Sequence, residues 1–145
     1  MSTASSDKNI DGVRPIDVVP TLFADLSLGF NLHPNTKDIR PITDLNAVRS
    51  AVKNLVLTNF GDRPFHPEIG GNVTGLLFEN ADFFTADAMR TEIHRVLSRF
   101  EPRIDNVVVQ VFDDIDRNAF KVNIGFNITD SSIEQEVNFY LTRIR

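Results

Sequence analysis

Cysteine and tryptophan are absent from this chain of 145 residues, tyrosine occurs once and methionine twice. Without cysteine there is no disulfide, no thiolate metal site and no thiol nucleophile. No stretch approaches the roughly 20 apolar residues of a membrane span. Met1 to Asp11 holds no apolar run of the kind a secretory leader requires. An excess of positive charge is missing too, since 15 Lys and Arg stand against 20 Asp and Glu, a formal net charge of −5. Nucleic-acid binding rests on neutralising phosphates and is not expected here. These absences predict a soluble chain with no cofactor, no metal, no membrane and no nucleic acid among its partners.

What is present is ordinary globular composition, 41% hydrophobic and 24% charged. Twelve phenylalanines suggest an aromatic-rich core, each fully buried ring contributing about 1.5–3 kcal/mol. Residues 1–20 are rich in Ser and Asp and carry Pro15 and Pro20. They predict a flexible arm, within which Ile16 to Val19 is suited to extended addition to a partner. Residues 21–145 predict a single domain.

Leu22 to Leu32 alternates in part, as a strand does, and His33-Pro34-Asn35 ends it in a turn. From Thr43 or Asp44, either a candidate N-cap, Leu45, Val48, Val52 and Leu55 share one helical face to about Thr58. Gly61 to Gly75, with Pro64, Pro67, Gly70 and Gly71, predicts a loop, and Leu76 to Glu79 a single helical turn. Thr85 is the expected cap of a second helix buried through Met89, Ile93, Val96, Leu97 and Phe100, with Arg95 and Arg99 in its last turns. The period then changes to two: Val107 to Phe112 is a strand, and Asp113 to Asn118 a polar hairpin loop. Phe120 to Ile128 is the cleanest alternation, Thr129 to Ser132 a turn, and Val137, Phe139 and Leu141 lie on a final strand. The fold class is α+β: a small antiparallel sheet of three C-terminal strands, with an N-terminal strand as a further candidate, covered by two amphipathic helices. The last strand is a candidate free edge, open to β-augmentation.

Glu101-Pro102-Arg103 lies where the second helix stops. Proline disfavours helical geometry at the residue before it, so a carboxylate meets the negative end of a helix dipole, where a cation is preferred by roughly 0.3–1 kcal/mol. Such an acid needs a cationic partner or a function. A glycosidase-type mechanism would need a second carboxylate, Glu68 or Glu79, but Arg103 or Arg63 beside Glu101 would hold it charged, the wrong form for a general acid. His33, His66 and His94 lack metal-ligand spacing. Asp113 to Asp116 lacks the glycine and distal glutamate of a calcium loop, and Gly70-Gly71 lacks the Lys-Ser/Thr of a phosphate loop. There remain two arginines beside prolines, Arg63-Pro64 and Pro102-Arg103, whose stiffened guanidinium forks suit docking. Whether Glu101 meets Arg63 within the chain or faces a partner is left open by the residues.

The order Gly61-Asp62-Arg63-Pro64-Phe65, Pro67-Glu68-Ile69-Gly70-Gly71, Leu77-Phe78-Glu79 and Glu101-Pro102-Arg103, followed by strands, resembles one family. It is the sheath-initiator family of the baseplate wedge in contractile-tailed phages, related to the type VI secretion baseplate subunit and also labelled lysozyme-like. The likeness runs from about residue 24 to the C-terminus, with Asp62 where glutamate is more usual. It implies a non-enzymatic virion protein, made in the host cytoplasm, in the tail baseplate beside the tail tube. It further implies wedge contact through Glu101, Pro102 and Arg103, with Gly61, Arg63, Pro64 and Phe65 as the supporting loop. Strand exchange with the tail sheath protein would use Val137, Asn138, Phe139, Tyr140 and Leu141. Two expectations follow: charge reversal at Arg103 abolishes wedge binding while sparing the fold, and proline at Phe139 blocks sheath recruitment. The alternative is a peptidoglycan hydrolase using Glu101.

Overall fold

The computed structural model describes residues 23–26, 29–39, 41–80, 82–129 and 134–143. The expected arm over residues 1–20 and most of the turn from Thr129 to Ser132 lie outside them. Two short strands, β1 (Ala24–Leu26) and β2 (Pro41–Thr43), pair antiparallel and lead into helix α1 (Asp44–Leu57). Of the strand expected over Leu22 to Leu32, only Ala24–Leu26 is strand among the described residues, since Gly29 turns and Phe30 is left-handed (φ 47°). It pairs with β2 in a sheet of its own rather than joining the C-terminal one. Between them, Leu32 and Ile39 bridge, and the His33 ring nitrogen accepts from the amides of Asn35 and Thr36, closing the expected turn.

Thr43 occupies the cap position of α1 without a side-chain bond. Asp44 instead ties the helix start to β1, its amide donating to the Phe23 carbonyl at 2.7 Å and its carboxylate accepting from the Phe23 amide at 3.4 Å. The stripe expected on α1 is buried at Val48, Val52 and Leu55. A one-turn helix, α2 (Val73–Leu76), begins three residues before the expected turn, which persists only as three-residue turns closed onto Gly75 and Leu76. Helix α3 (Phe83–Phe100) is capped by Asp82 rather than Thr85. The Asp82 carboxylate accepts from the Thr85 amide at 2.8 Å, and that bond holds it below the usual carboxylate range. Thr85 sits one turn in, buried.

The sheet is β3 (Ile104–Asp114), β4 (Ala119–Ile128) and β5 (Glu134–Thr142), antiparallel, with β4 central. β3 starts three residues before the expected Val107, across a register shift between Asp105 and Val108 where Asn106 has φ 52°. That bulge interrupts the alternation and hides the strand's beginning. Asp113 and Asp114 extend β3 rather than forming the loop, which shrinks to a 3-10 turn at Ile115–Arg117 and a left-handed Asn118.

Met89, Ile93, Val96 and Leu97 of α3 and the buried residues of α1 close one core over Phe120, Val122, Ile124, Phe126, Phe139 and Leu141. The aromatic-rich core is a correction. Phe120, Phe126 and Phe139 are buried, while Phe30, Phe60, Phe65, Phe78, Phe83, Phe84 and Phe112, seven of the twelve, are exposed. Aliphatic side chains fill most of the interior, and these seven rings lie at the surface.

β5 has a neighbour on one side only among the described residues. The Arg143 amide donates to the Asn118 carbonyl at 3.0 Å, extending the β4–β5 register (Ala119 opposite Thr142) by one pair. Because antiparallel pairs alternate between bonded and non-bonded, the backbone groups of Val137, Phe139 and Leu141 face β4. Those of Glu136, Asn138, Tyr140 and Thr142 face the open edge.

Candidate functional site

α3 ends as Pro102 dictates. Glu101 leaves helical geometry (φ −120°, ψ 84°), its amide making the last helical bond to the Leu97 carbonyl at 3.0 Å. Glu101 is only 5% exposed. The cation it needs is two residues on: Arg103 Nε donates to Oε1 at 2.7 Å and Nη2 to Oε2 at 2.8 Å, a bidentate fork closed across the proline. Those bonds push the Arg103 guanidinium up from its ordinary value, with Asp25 adding to the effect. Asp25 Oδ2 lies 3.6 Å from Nη1, and the Phe23 ring lies 5.6 Å from Cζ. The alternative left open by the residues is thus decided against Arg63, which makes no ion pair with Glu101.

Beside the turn runs the loop that the sequence singles out. Gly61 (φ 86°) donates to the Pro67 carbonyl at 3.0 Å, and the Asp62 carboxylate accepts from the Asn59 amide at 2.8 Å. Asn59 bridges Gly71, whose amide donates to the Thr58 carbonyl at 3.0 Å. Phe65 projects at the loop's surface, 91% exposed. Gly70 (φ 127°) passes so close to α1's end that a Cβ there would lie 2.6 Å from the Thr58 carbonyl oxygen. Gly70-Gly71 is therefore a close-approach device. Gly70→Ala is expected to cost about 2–3 kcal/mol in urea denaturation, from strain plus steric conflict with fixed backbone. Gly61→Ala, with nothing within 4 Å of its added carbon, should cost only about 1–2 kcal/mol from its backbone angle.

Glu92 and Arg95, two residues of α3 that sequence reasoning gave no role as a pair, strap this loop down. Glu92 Oε1 accepts from the Asn72 amide at 3.0 Å and from Arg95 Nη2 at 2.7 Å, while the Arg95 guanidinium stacks 5.4 Å from the Phe60 centroid. The available signal was their i, i+3 spacing on one helix face. The Arg95 hydrogen bonds chiefly, then the Asn72 amide, lower the Glu92 pKa from its ordinary 4.5 against the opposing effect of burial. A depressed carboxylate contributes stability that is complete above its unfolded value and is lost as pH falls through its folded one. Hydrogen exchange at the Asn72 amide should therefore accelerate, relative to the α3 core amides and beyond the intrinsic rate change, as pH falls below the ordinary 4.5 and through the lowered value of Glu92.

A cleft of about 490 Å³ lies between the turn, the loop, β1 and α1. It brings together Arg63, Glu101, Pro102 and Arg103, floored by Ala51, Leu55, Ile69 and Phe100, with Asp25 and Leu26 also in its lining. Gly61, Pro64 and Phe65 are not in its lining, and Val137 to Leu141 lie apart from it on β5. Among the described residues no group of His, Asp and Glu is placed to hold a metal ion. No helix of the described residues is long and apolar enough to cross a membrane.

The described residues thus make a small α+β domain that presents a charged turn beside a cleft, a sheet edge with one described neighbour, and exposed phenylalanines. The family model of the baseplate wedge protein gp25 matches residues 43–132, and the chain belongs to that family. Baseplate wedge protein gp25 of Enterobacteria phage T4 is 32% identical over 116 residues, covering 79% of this chain and 87% of the phage protein. A crystal structure described as a putative tail lysozyme from Geobacter sulfurreducens shares the fold at TM-score 0.63 and 15% identity, covering 69% of this chain and 91% of that one. A chain of the baseplate complex from the type VI secretion system shares it at TM-score 0.55 and 16% identity, covering 68% and 93%.

Proposed function

We propose that this chain is a structural, non-enzymatic protein of a contractile-tail baseplate, and that its assembly role is to join two kinds of partner. The Glu101-Pro102-Arg103 turn and the adjoining cleft dock on wedge subunits. The β5 edge accepts a strand from the tail sheath protein, so that the first sheath ring is laid on it, beside the tail tube. The observation that carries this reading is the free edge of β5, whose outward backbone groups at Asn138 and Tyr140 lie unpaired by any described strand. Family membership supports the baseplate location and a structural role in assembly with other baseplate components. The domain spanning 21–145 does the docking, and the arm over 1–20 lies outside that assignment.

The hydrolase alternative is disfavoured by the engagement of both Glu101 oxygens with Arg103, an ion pair that a general-acid role would have to break. The test is reconstitution of sheath polymerisation on purified baseplates carrying a proline at an outward-facing β5 position. Sheath should fail to start, with wedge incorporation unchanged; normal sheath initiation would overturn the strand-addition role.

A further inference from the structure

The charges of the Glu-Pro-Arg turn are spent on one another. Both Glu101 oxygens are bound by Arg103, and the remaining guanidinium nitrogen faces Asp25 at 3.6 Å. Arg63 is different. It lines the same cleft, is exposed, and its side chain makes no hydrogen bond or ion pair with any described residue. It is nevertheless held on a fixed backbone: the Arg63 carbonyl accepts from the His66 amide at 3.2 Å, Gly61 is tied to Pro67, and Pro64 limits the chain beyond it. Within the cleft, Asp25, Arg103 and Glu101 form a triad of net charge −1, and Arg63 supplies the balancing +1. An approaching carboxylate is thus repelled on the Asp25 side and attracted on the loop side. The same cleft is lined by the apolar Ala51, Leu55, Ile69 and Phe100 and by Leu26, which is 65% exposed.

We infer that Arg63, not Glu101 or Arg103, makes the charge contact in this cleft, and that its partner is a carboxylate of a wedge subunit carried beside an apolar side chain that covers Leu26. The inference rests on the wedge-docking reading above and names the chemistry of that same site. The Glu-Pro-Arg turn then acts by shape, as the wall against which the partner segment is set. A planar fork on a stiff loop favours bidentate carboxylate pairing, and a single ammonium satisfies it only in part.

The experiment uses the full chain and the co-purified wedge subunits of the same particle. Arg63→Glu should weaken binding at least tenfold with the thermal midpoint unchanged, because the side chain has no described partner to lose. Arg63→Lys should keep part of the binding and, with a carbodiimide, let the introduced amine form a zero-length amide with a wedge Asp or Glu identified by mass spectrometry. Reversing that wedge carboxylate to lysine should restore binding to Arg63→Glu. Wild-type binding by Arg63→Glu, or a cross-link to this chain's own residues or to a second copy, overturns the inference and leaves wedge docking standing. Failure of the unaltered chain to bind wedge subunits removes the docking reading itself.

Discussion

Arg103→Glu is expected to lower the stability of the isolated protein by at least about 3 kcal/mol, and its thermal midpoint by roughly 10 °C. The Glu101 carboxylate is nearly inaccessible and sits at the negative end of α3, so its charge is tolerable only because Arg103 binds both oxygens. Reversal removes that fork and places a second carboxylate beside Glu101, with Asp25 already close by. The Arg103 side chain is still 26% exposed, so the lower end of the 3–5 kcal/mol range for a broken buried pair applies. Arg103→Lys should lose less, since one ammonium replaces one arm of the fork. Urea denaturation of the three proteins checks this order, and a reversed variant as stable as the parent would show that the pair does not hold the turn. The doubly bonded pair argues against the expectation that charge reversal spares the fold, and the denaturation series decides between them. Loss of wedge binding in that variant would report a damaged turn, and Arg63→Glu is the cleaner probe of the interface.

The elements with sustained periodicity were legible in the sequence. Val48, Val52 and Leu55, then Met89, Ile93 and Leu97, and the strict alternation from Phe120 to Ile128 each identify a buried face because burial repeats with the element's geometry. Elements whose limits depend on one residue were not. Asn106 in the left-handed region inserts a bulge and moves β3's start to Ile104. Asp82 and Thr85 are both good caps, and which of them closes α3 depends on where the preceding loop delivers the chain. The site was half legible. Glu101 announced its need for a cation through the following proline. That Arg103 supplies it could not be read from helical neighbour rules, because residues two apart meet only when a turn folds them together. Composition misled in one respect: phenylalanine was counted as core, whereas Phe65, Phe83 and Phe84 are each more than three-quarters exposed. A hydrophobic ring is as useful for covering by a partner as for burial within the chain.

Asn138→Pro is expected to abolish sheath initiation while leaving the domain folded, and Phe139→Pro to unfold it. The two residues are adjacent on β5 and differ in where their backbone points. Phe139 is opposite Val122 and buried. By the alternation fixed at Arg143 and Asn118, its amide bonds to β4. Proline there removes a ladder bond and empties a core position, for a combined loss above about 4 kcal/mol. Asn138 is opposite Asn123 with an exposed side chain, and its amide faces the open edge. Proline is tolerated at such an edge position and withdraws the donor an incoming strand requires. Tyr140→Pro should act in the same way, while Asn138→Ala, which keeps the amide, should initiate sheath normally. Circular dichroism sets the folded state of each variant, and electron microscopy of reconstituted baseplates counts those with sheath. Sheath on Asn138→Pro baseplates at the parental frequency would sink the strand-addition mechanism. Loss with Asn138→Ala as well would place the contact in the side chain rather than the ladder.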